Sequence, residues 1–241
     1  MREPVPIGRR YRQGRYGMTT FRRTRRTTKL PLPEVIADAV AEAIAMNRLQ
    51  PGDRVVETAL ADELGASRVP TREALKVLHT QGILSGGRRG YRVSVFDAAV
   101  VSQILELRLM LESILLRDAV ANWRRGQART DELHAIIGKM EAAARRGDTK
   151  ASLRGDLDFH RAIGRASGNS IAATLWEAIA RHVLIIFSRP EYRDEDIGAV
   201  PQQHRDLLRF IEDQITDPGS DEEIRRGLEE HLLLVLRRRP V

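Results

Sequence analysis

The sequence predicts a mainly α chain in two parts: a small N-terminal unit of three helices and a β-hairpin, then an all-helical bundle. Three observations carry this. Apolar residues recur at helical spacing over most of the chain. Glycines and prolines interrupt that pattern at short intervals. Near Gly86, Gly87 and Gly90 the period changes to two, with Tyr91, Val93 and Val95 alternating with Arg92 and Ser94.

The first helix follows from Val35, Ile36, Ala39, Val40, Ala43 and Ile44, with Pro33 suited to its first turn. Pro51-Gly52-Asp53 breaks it. A short helix from Glu57 to Leu64 ends at Gly65, a C-cap residue. Ser67 is placed to cap a third helix over about 68–80, and Pro70 is tolerated there because it lies in the first turn. Gly82 closes that helix, and residues 83–95 form the hairpin, with Arg88 and Arg89 at its tip. Three helices followed by such a hairpin make a winged helix-turn-helix. From Asp97 onward the pattern is helical, with six helices near 97–124, 129–146, 148–167, 169–189, 194–214 and 221–239. Breaks fall at Gly126, Gly147, Gly168, Pro190 and Pro218-Gly219. The division is therefore 1–30 as a tail, 31–96 as the winged helix-turn-helix, and 97–241 as a bundle of ordinary domain size.

Composition narrows the chemistry. The chain has 241 residues, 42% of them hydrophobic but only 5% aromatic, so aliphatic side chains must fill the core. With no cysteine, disulfides and thiolate metal sites are excluded, and any metal must take nitrogen and oxygen ligands. No run of about 18 apolar residues is evident and no secretory signal, so the expectation is a cytoplasmic protein with no membrane partner. The net charge of +7 is unevenly spread. Residues 1–30 hold ten Lys/Arg against Glu3, a net of +9, which leaves 30 bases and 32 acids, a net of −2, in the rest. Such a tail cannot bury a core. It reads either as a basic arm that follows phosphates or as a segment ahead of a second start at Met18.

In a helix-turn-helix the N-terminal end of the second helix meets base edges in the major groove. Here that end is Ser67-Arg68-Val69-Pro70-Thr71-Arg72. Arg68 and Arg72 are one turn apart, and an arginine bound to guanine O6 and N7 supplies about 1–3 kcal/mol of discrimination. Ser67 and Thr71 are candidates for phosphate or base contacts, and Arg88 and Arg89 for the flanking groove. A lone arginine pair is more often a solvated helix face; the ordered set of turn, third helix and basic wing reverses that reading.

The stretch from Leu49-Gln50-Pro51-Gly52-Asp53 through Leu60-Ala61-Asp62-Glu63-Leu64-Gly65-Ala66-Ser67-Arg68-Val69-Pro70-Thr71-Arg72-Glu73-Ala74-Leu75 resembles the GntR family of bacterial regulators. Gly90-Tyr91-Arg92-Val93 continues the likeness. The resemblance implies that Arg68, Arg72 and the wing around Gly90 contact a double-stranded DNA operator. Val69 and Thr71 stand where the family often has Thr and Val, which bears on the operator sequence.

In the bundle, Asp156 and His160 share a helix face, while His204 and His231 lie on later helices. Three histidines and a carboxylate suit a divalent ion such as Zn, Mn or Ni. By spacing alone they are more often surface or core histidines with ordinary partners. Asp156-Leu157-Asp158-Phe159-His160-Arg161, Ala166-Ser167-Gly168-Asn169, Arg108-Leu109-Met110-Leu111-Glu112, His204-Arg205-Asp206-Leu207 and Glu229-Glu230-His231-Leu232 are similar to the FCD effector domain of the FadR branch. That resemblance implies the metal ligands Asp156, His160, His204 and His231. Gln203 replaces a glutamate common in the family, and six helices favour the shorter, VanR-like form. A small organic acid could complete the ion's coordination, with Arg108 and Asn169 as effector-binding candidates; Arg108 could equally pair with Glu112. His79, His134 and His182 read as structural. The expected function is a homodimeric repressor released by a carboxylate. The alternatives are a metal-dependent hydrolase-type enzyme and a constitutive DNA-binding protein with a structural metal.

Overall fold

A computed structural model of the chain describes residues 32–87, 90–190, 192 and 196–237. The basic tail and the wing-tip arginines Arg88 and Arg89 lie outside these residues.

The N-terminal unit comprises α1 (Leu32–Ala45), β1 (Arg54–Val55), α2 (Glu57–Leu64), α3 (Arg68–Thr80), β2 (Leu84–Gly87) and β3 (Gly90–Val93). The hairpin is part of an antiparallel sheet in the order β1-β3-β2, with Val55 opposite Tyr91 and Leu84 opposite Val93. The two-residue β1 was not anticipated, because Pro51-Gly52-Asp53 reads as a break and two residues carry no period. The hairpin also ends earlier than the alternation suggests: Val95 lies beyond β3 and is 69% exposed. Gly86 is required where it stands, since its φ is +114° and a Cβ there would lie 2.5 Å from the Gly90 carbonyl oxygen.

The bundle contains α4 (Ala98–Arg124), α5 (Asp131–Arg145), α6 (Thr149–Ser167), α7 (Ser170–Phe187), α8 (Ala199–Thr216) and α9 (Asp221–Arg237). Asp97, Asp148 and Asn169 cap α4, α6 and α7, each accepting a bond from the amide three residues on. The start of α8 is at Ala199, not near 194, with Pro201 in its first turn, where its missing N–H costs nothing. The long α4 packs on α6, α7, α8 and α9, and α5 packs on α6 and α8. Gly155 sits where a Cβ would meet Met140 at 2.4 Å, so a glycine lets α5 and α6 approach beside Asp156.

α1 is buried on nearly every side because it packs on α3 within its own unit and on α7 of the bundle. Polar contacts reinforce that junction. Arg181 binds Glu34 and Asp38 on α1, and Lys150 and Arg154 from α6 both reach Glu42. The His182 Nε2 lies 2.8 Å from the Gln81 carbonyl at the end of α3, and Arg189 donates to the Phe96 carbonyl at 2.8 Å. The expectation of no membrane-length segment needs one correction: α7 is long and apolar enough by composition to cross a membrane, with a mean hydropathy of 1.5. Its apolar side packs on α1, α4 and α6, placing Trp176, Val183 and Ile186 in the core.

Candidate metal centre and DNA-reading helix

α2 ends at Gly65, whose φ of +62° turns the chain sharply into α3. Ser67 precedes α3 in extended conformation, but its hydroxyl makes no cap bond; Thr71 Oγ1 instead donates to the Ser67 carbonyl at 2.9 Å. Thr71 is fully buried. This corrects its assignment to DNA contact: the side chain points into the core with Ala74, Leu75 and Leu78, and cannot reach a groove. The outward face of α3 carries Arg68, Val69, Arg72, Glu73 and Lys76. Val69, which the family resemblance already tied to the operator sequence, is 71% exposed on this face. Arg68 forms no ion pair among the described residues. Arg72 is held by both carboxylate oxygens of Glu57 at 2.9 and 3.0 Å, so the first turn of α2 fixes its direction, and Glu57's carboxyl is held below its usual range by that bond. Lys76 pairs with Glu73 at 2.9 Å. Gly90, with φ +106°, leaves room for the Arg54 guanidinium, which a Cβ would approach to 3.4 Å.

In the bundle, one nitrogen from each of His160 (α6), His204 (α8) and His231 (α9) converges so that all three lie within 4.8 Å of one another. Asp156, one turn before His160, joins them: its Oδ1 is 3.2 Å from His204 Nε2 and 3.9 Å from His160 Nε2. His204 Nδ1 is 2.8 Å from the Val200 carbonyl one turn back, a contact that sets this nitrogen as the donor and turns Nε2 inward as a free lone pair. His160 Nδ1 lies 2.7 Å from Glu112 Oε2, a close contact whose N–H points off the line of a good hydrogen bond. Phe159 walls the cluster, edge-on to His204 with centroids 4.9 Å apart.

His160 Nε2, His204 Nε2 and His231 Nδ1 are buried without a hydrogen-bond partner. Such orphaned groups cost about 1–3 kcal/mol each unless something binds them. Burial pushes the His231 imidazole well below its ordinary value, helped by the neighbouring His204 and His160, so it is neutral, as a ligand must be. Burial would raise the Asp156 carboxyl, but the adjoining His204 imidazole and the charge of Arg108 outweigh it and hold it well below the usual carboxylate range. With neutral imidazoles, Asp156, Glu112 and Arg108 give the centre a net charge of −1. A divalent ion would make it +1. The donor set thus fits a nitrogen- and oxygen-preferring divalent ion.

Arg108 is 1% exposed. Its Nε donates to Glu112 Oε1 at 2.7 Å, its Nη2 stands 3.8 Å from Asp156 Oδ2, and its guanidinium lies over the Phe187 ring at 4.7 Å. Both readings of this arginine are therefore compatible: it pairs with Glu112, and it lines a cavity of about 70 Å³ shared with Asp156, Phe187, His204 and His231. Glu112 is the residue that sequence reasoning undervalued. It accepts from Arg108 and from Trp176 Nε1 at 2.8 Å and touches His160, joining α4, α6 and α7 at one buried carboxylate whose pKa, against the effect of burial, the Arg108 charge holds at about 2. Its legible signals were the i,i+4 spacing from Arg108 and its place in the Arg108–Glu112 stretch that resembles the FCD domain. Asn169 does not line this cavity. Its Oδ1 caps α7 and its Nδ2 donates to Asp118 at 2.9 Å, which corrects the effector-binding assignment. The other histidines have partners elsewhere: His79 with the Leu84 carbonyl, His134 with Glu212 and His182 with Gln81.

Comparison with known proteins agrees with this architecture. The family model for the FCD domain matches residues 103–234, and that for bacterial regulatory proteins of the gntR family matches residues 32–93. A probable D-xylose utilization operon transcriptional repressor of Paenarthrobacter nicotinovorans is 26% identical over 190 residues, 78% of this chain and 82% of that one. A gluconate operon transcriptional repressor of Bacillus licheniformis is 25% identical over 178 residues, 70% and 71% of the two chains. Among solved structures, E. coli McbR/YncC superposes with a TM-score of 0.67 at 21% identity, covering 86% of this chain and 96% of that one. A GntR regulator from Rhodococcus sp. RHA1 gives 0.63 at 16% identity, covering 86% and 99%. The winged helix-turn-helix joined to a helical bundle thus places the chain in the gntR family of bacterial regulatory proteins, as a DNA-binding transcriptional regulator with an FCD domain.

Proposed function

We propose that the chain is a cytoplasmic, homodimeric repressor whose operator affinity is set by a small carboxylate bound at a divalent metal centre. The observation that carries this reading is the set of three buried imidazole nitrogens without partners, gathered beside Asp156. Asp156, His160, His204 and His231 would hold the ion, which supplies a positive Lewis-acid centre for the acid's carboxylate when bound. Arg108 orients the acid from the cavity wall, and Glu112 positions both Arg108 and His160. Arg68, Arg72 and the wing around Gly90, with Arg88 and Arg89, read the operator, and Ser67 sits exposed at the helix entry. The names of the two relatives support repression as the sign of control. A second copy of the chain fits the outer side of α4 and the start of α7, where Leu107, Met110, Ile171 and Leu175 are exposed. Its twofold symmetry would present two α3 helices to successive major grooves.

Metal analysis of the purified chain tests the centre. About one Zn, Mn or Ni per chain is expected in the wild type, and loss of it in His204→Ala. No bound metal, together with no thermal stabilisation on adding any of the three ions, would refute it. Operator affinity unchanged across a panel of organic acids would leave the chain a constitutive DNA binder.

A further inference from the structure

The cavity at the histidine cluster is small. Its 70 Å³ compares with about 300–1,000 Å³ for sites that enclose a whole ligand. A far larger cleft of about 740 Å³ lies next to it, between the DNA-binding unit and the bundle. Tyr192 borders both. The first turns of α6 run from one to the other, Thr149 facing the cleft and Ser152 and Leu153 the small cavity. The end of α7 does the same, with Phe187 on the small cavity and Ser188 and Arg189 on the cleft. The opposite wall of the cleft comes from the DNA-binding unit and its linker, where Ile44, Met46, Leu49 and Val95 make it mainly apolar.

We infer that this cleft is the tail subsite of the effector site: a carboxylate head sits at the histidine cluster, and an apolar chain passes Tyr192 to lie between the two units. The inference rests on the acid-binding reading of the metal centre and adds the ligand class, an acid with an extended apolar tail. It also adds a means of control. A ligand confined to the small cavity touches only the bundle. One that reaches the cleft touches residues of both units, so its affinity depends directly on how they sit relative to each other, and its binding biases that arrangement.

The test uses the full-length, metal-loaded chain and straight-chain monocarboxylates from acetate to octanoate, with affinity read by calorimetry and operator binding by fluorescence anisotropy. Each methylene added beyond Tyr192 is expected to tighten binding about fourfold. Octanoate should shift operator affinity while acetate does not. Val95→Trp, at an exposed position that fills the cleft without disturbing a core, should abolish the gain for octanoate and leave acetate unchanged. Acetate binding with no gain along the series, or octanoate affinity unaltered by Val95→Trp, overturns the tail subsite alone. Failure of every acid to bind overturns the acid-binding reading and this inference with it.

Discussion

Arg108 and Glu112 form a buried ion pair one helical turn apart, with side chains 2% and 5% exposed. Removing one partner leaves the other charge in the core, at a cost of about 3–5 kcal/mol. Glu112→Leu also strands the Trp176 indole N–H, which adds about 1–3 kcal/mol. The expected loss for Glu112→Leu is therefore about 4–8 kcal/mol, a large part of the roughly 5–15 kcal/mol that a folded protein has. Arg108→Met should cost about 3–5 kcal/mol. The double variant replaces the pair by apolar groups and leaves mainly the Trp176 N–H unpaired, so it should cost only about 1–3 kcal/mol. The assay is denaturant unfolding of the EDTA-treated protein for wild type, both singles and the double, so that metal binding does not enter the comparison. Additive single losses, or a Glu112→Leu loss under about 1 kcal/mol, would refute the claim that this pair is a mutually dependent buried unit.

Four further outcomes follow from the geometry. Arg68→Ala should weaken operator binding by about 1–3 kcal/mol, whereas Thr71→Val, whose hydroxyl bonds only within the helix, should lower stability by about 1 kcal/mol and leave operator preference unchanged in an anisotropy competition. Metal removal should lower the melting temperature of the wild type but not of His160→Ala, a difference that titration with Zn, Mn or Ni in a thermal melt reads directly. Gly86→Ala should cost about 1–3 kcal/mol and impair operator binding, because it strains the hairpin that carries the wing. Burial, then the charge of Arg181, lowers the His182 imidazole below its ordinary value, against the pull of the Gln81 carbonyl. Protonation therefore favours the unfolded chain: the stability His182 contributes is present above about pH 6.5 and is lost as pH falls towards the lower folded-state value. His182→Gln should lose less stability than wild type between about pH 7 and pH 5, and equal losses would contradict this.

Most of the element order was legible because it depends on local physics. The helical period of α1, the Gly65 turn and the ordered run from Ser67 to Arg72 locate the helix-turn-helix without tertiary knowledge, and the six bundle helices follow from periodicity and breakers. Less legible were features with no period, such as the two-residue β1 and the late start of α8. Residue type also misled where direction matters. Thr71 and Asn169 are polar and lie in motifs, yet one turns into the core and the other caps a helix. A helix position determines direction only once it is known which face the neighbouring helices cover.

What the sequence by itself determined is therefore the kind of protein: a winged helix-turn-helix followed by a bundle holding three histidines and an aspartate of ligand type. Spacing alone did not bring those histidines together: the family resemblance implied that they meet, and the tertiary structure shows it. Residues 160, 204 and 231 sit on three different helices, and their separations along the chain carry no information on distance. Tertiary packing also decided that Glu112 supports the site and that a cleft between the units adjoins it, since burial and adjacency arise from how helices pack and are written in no local pattern.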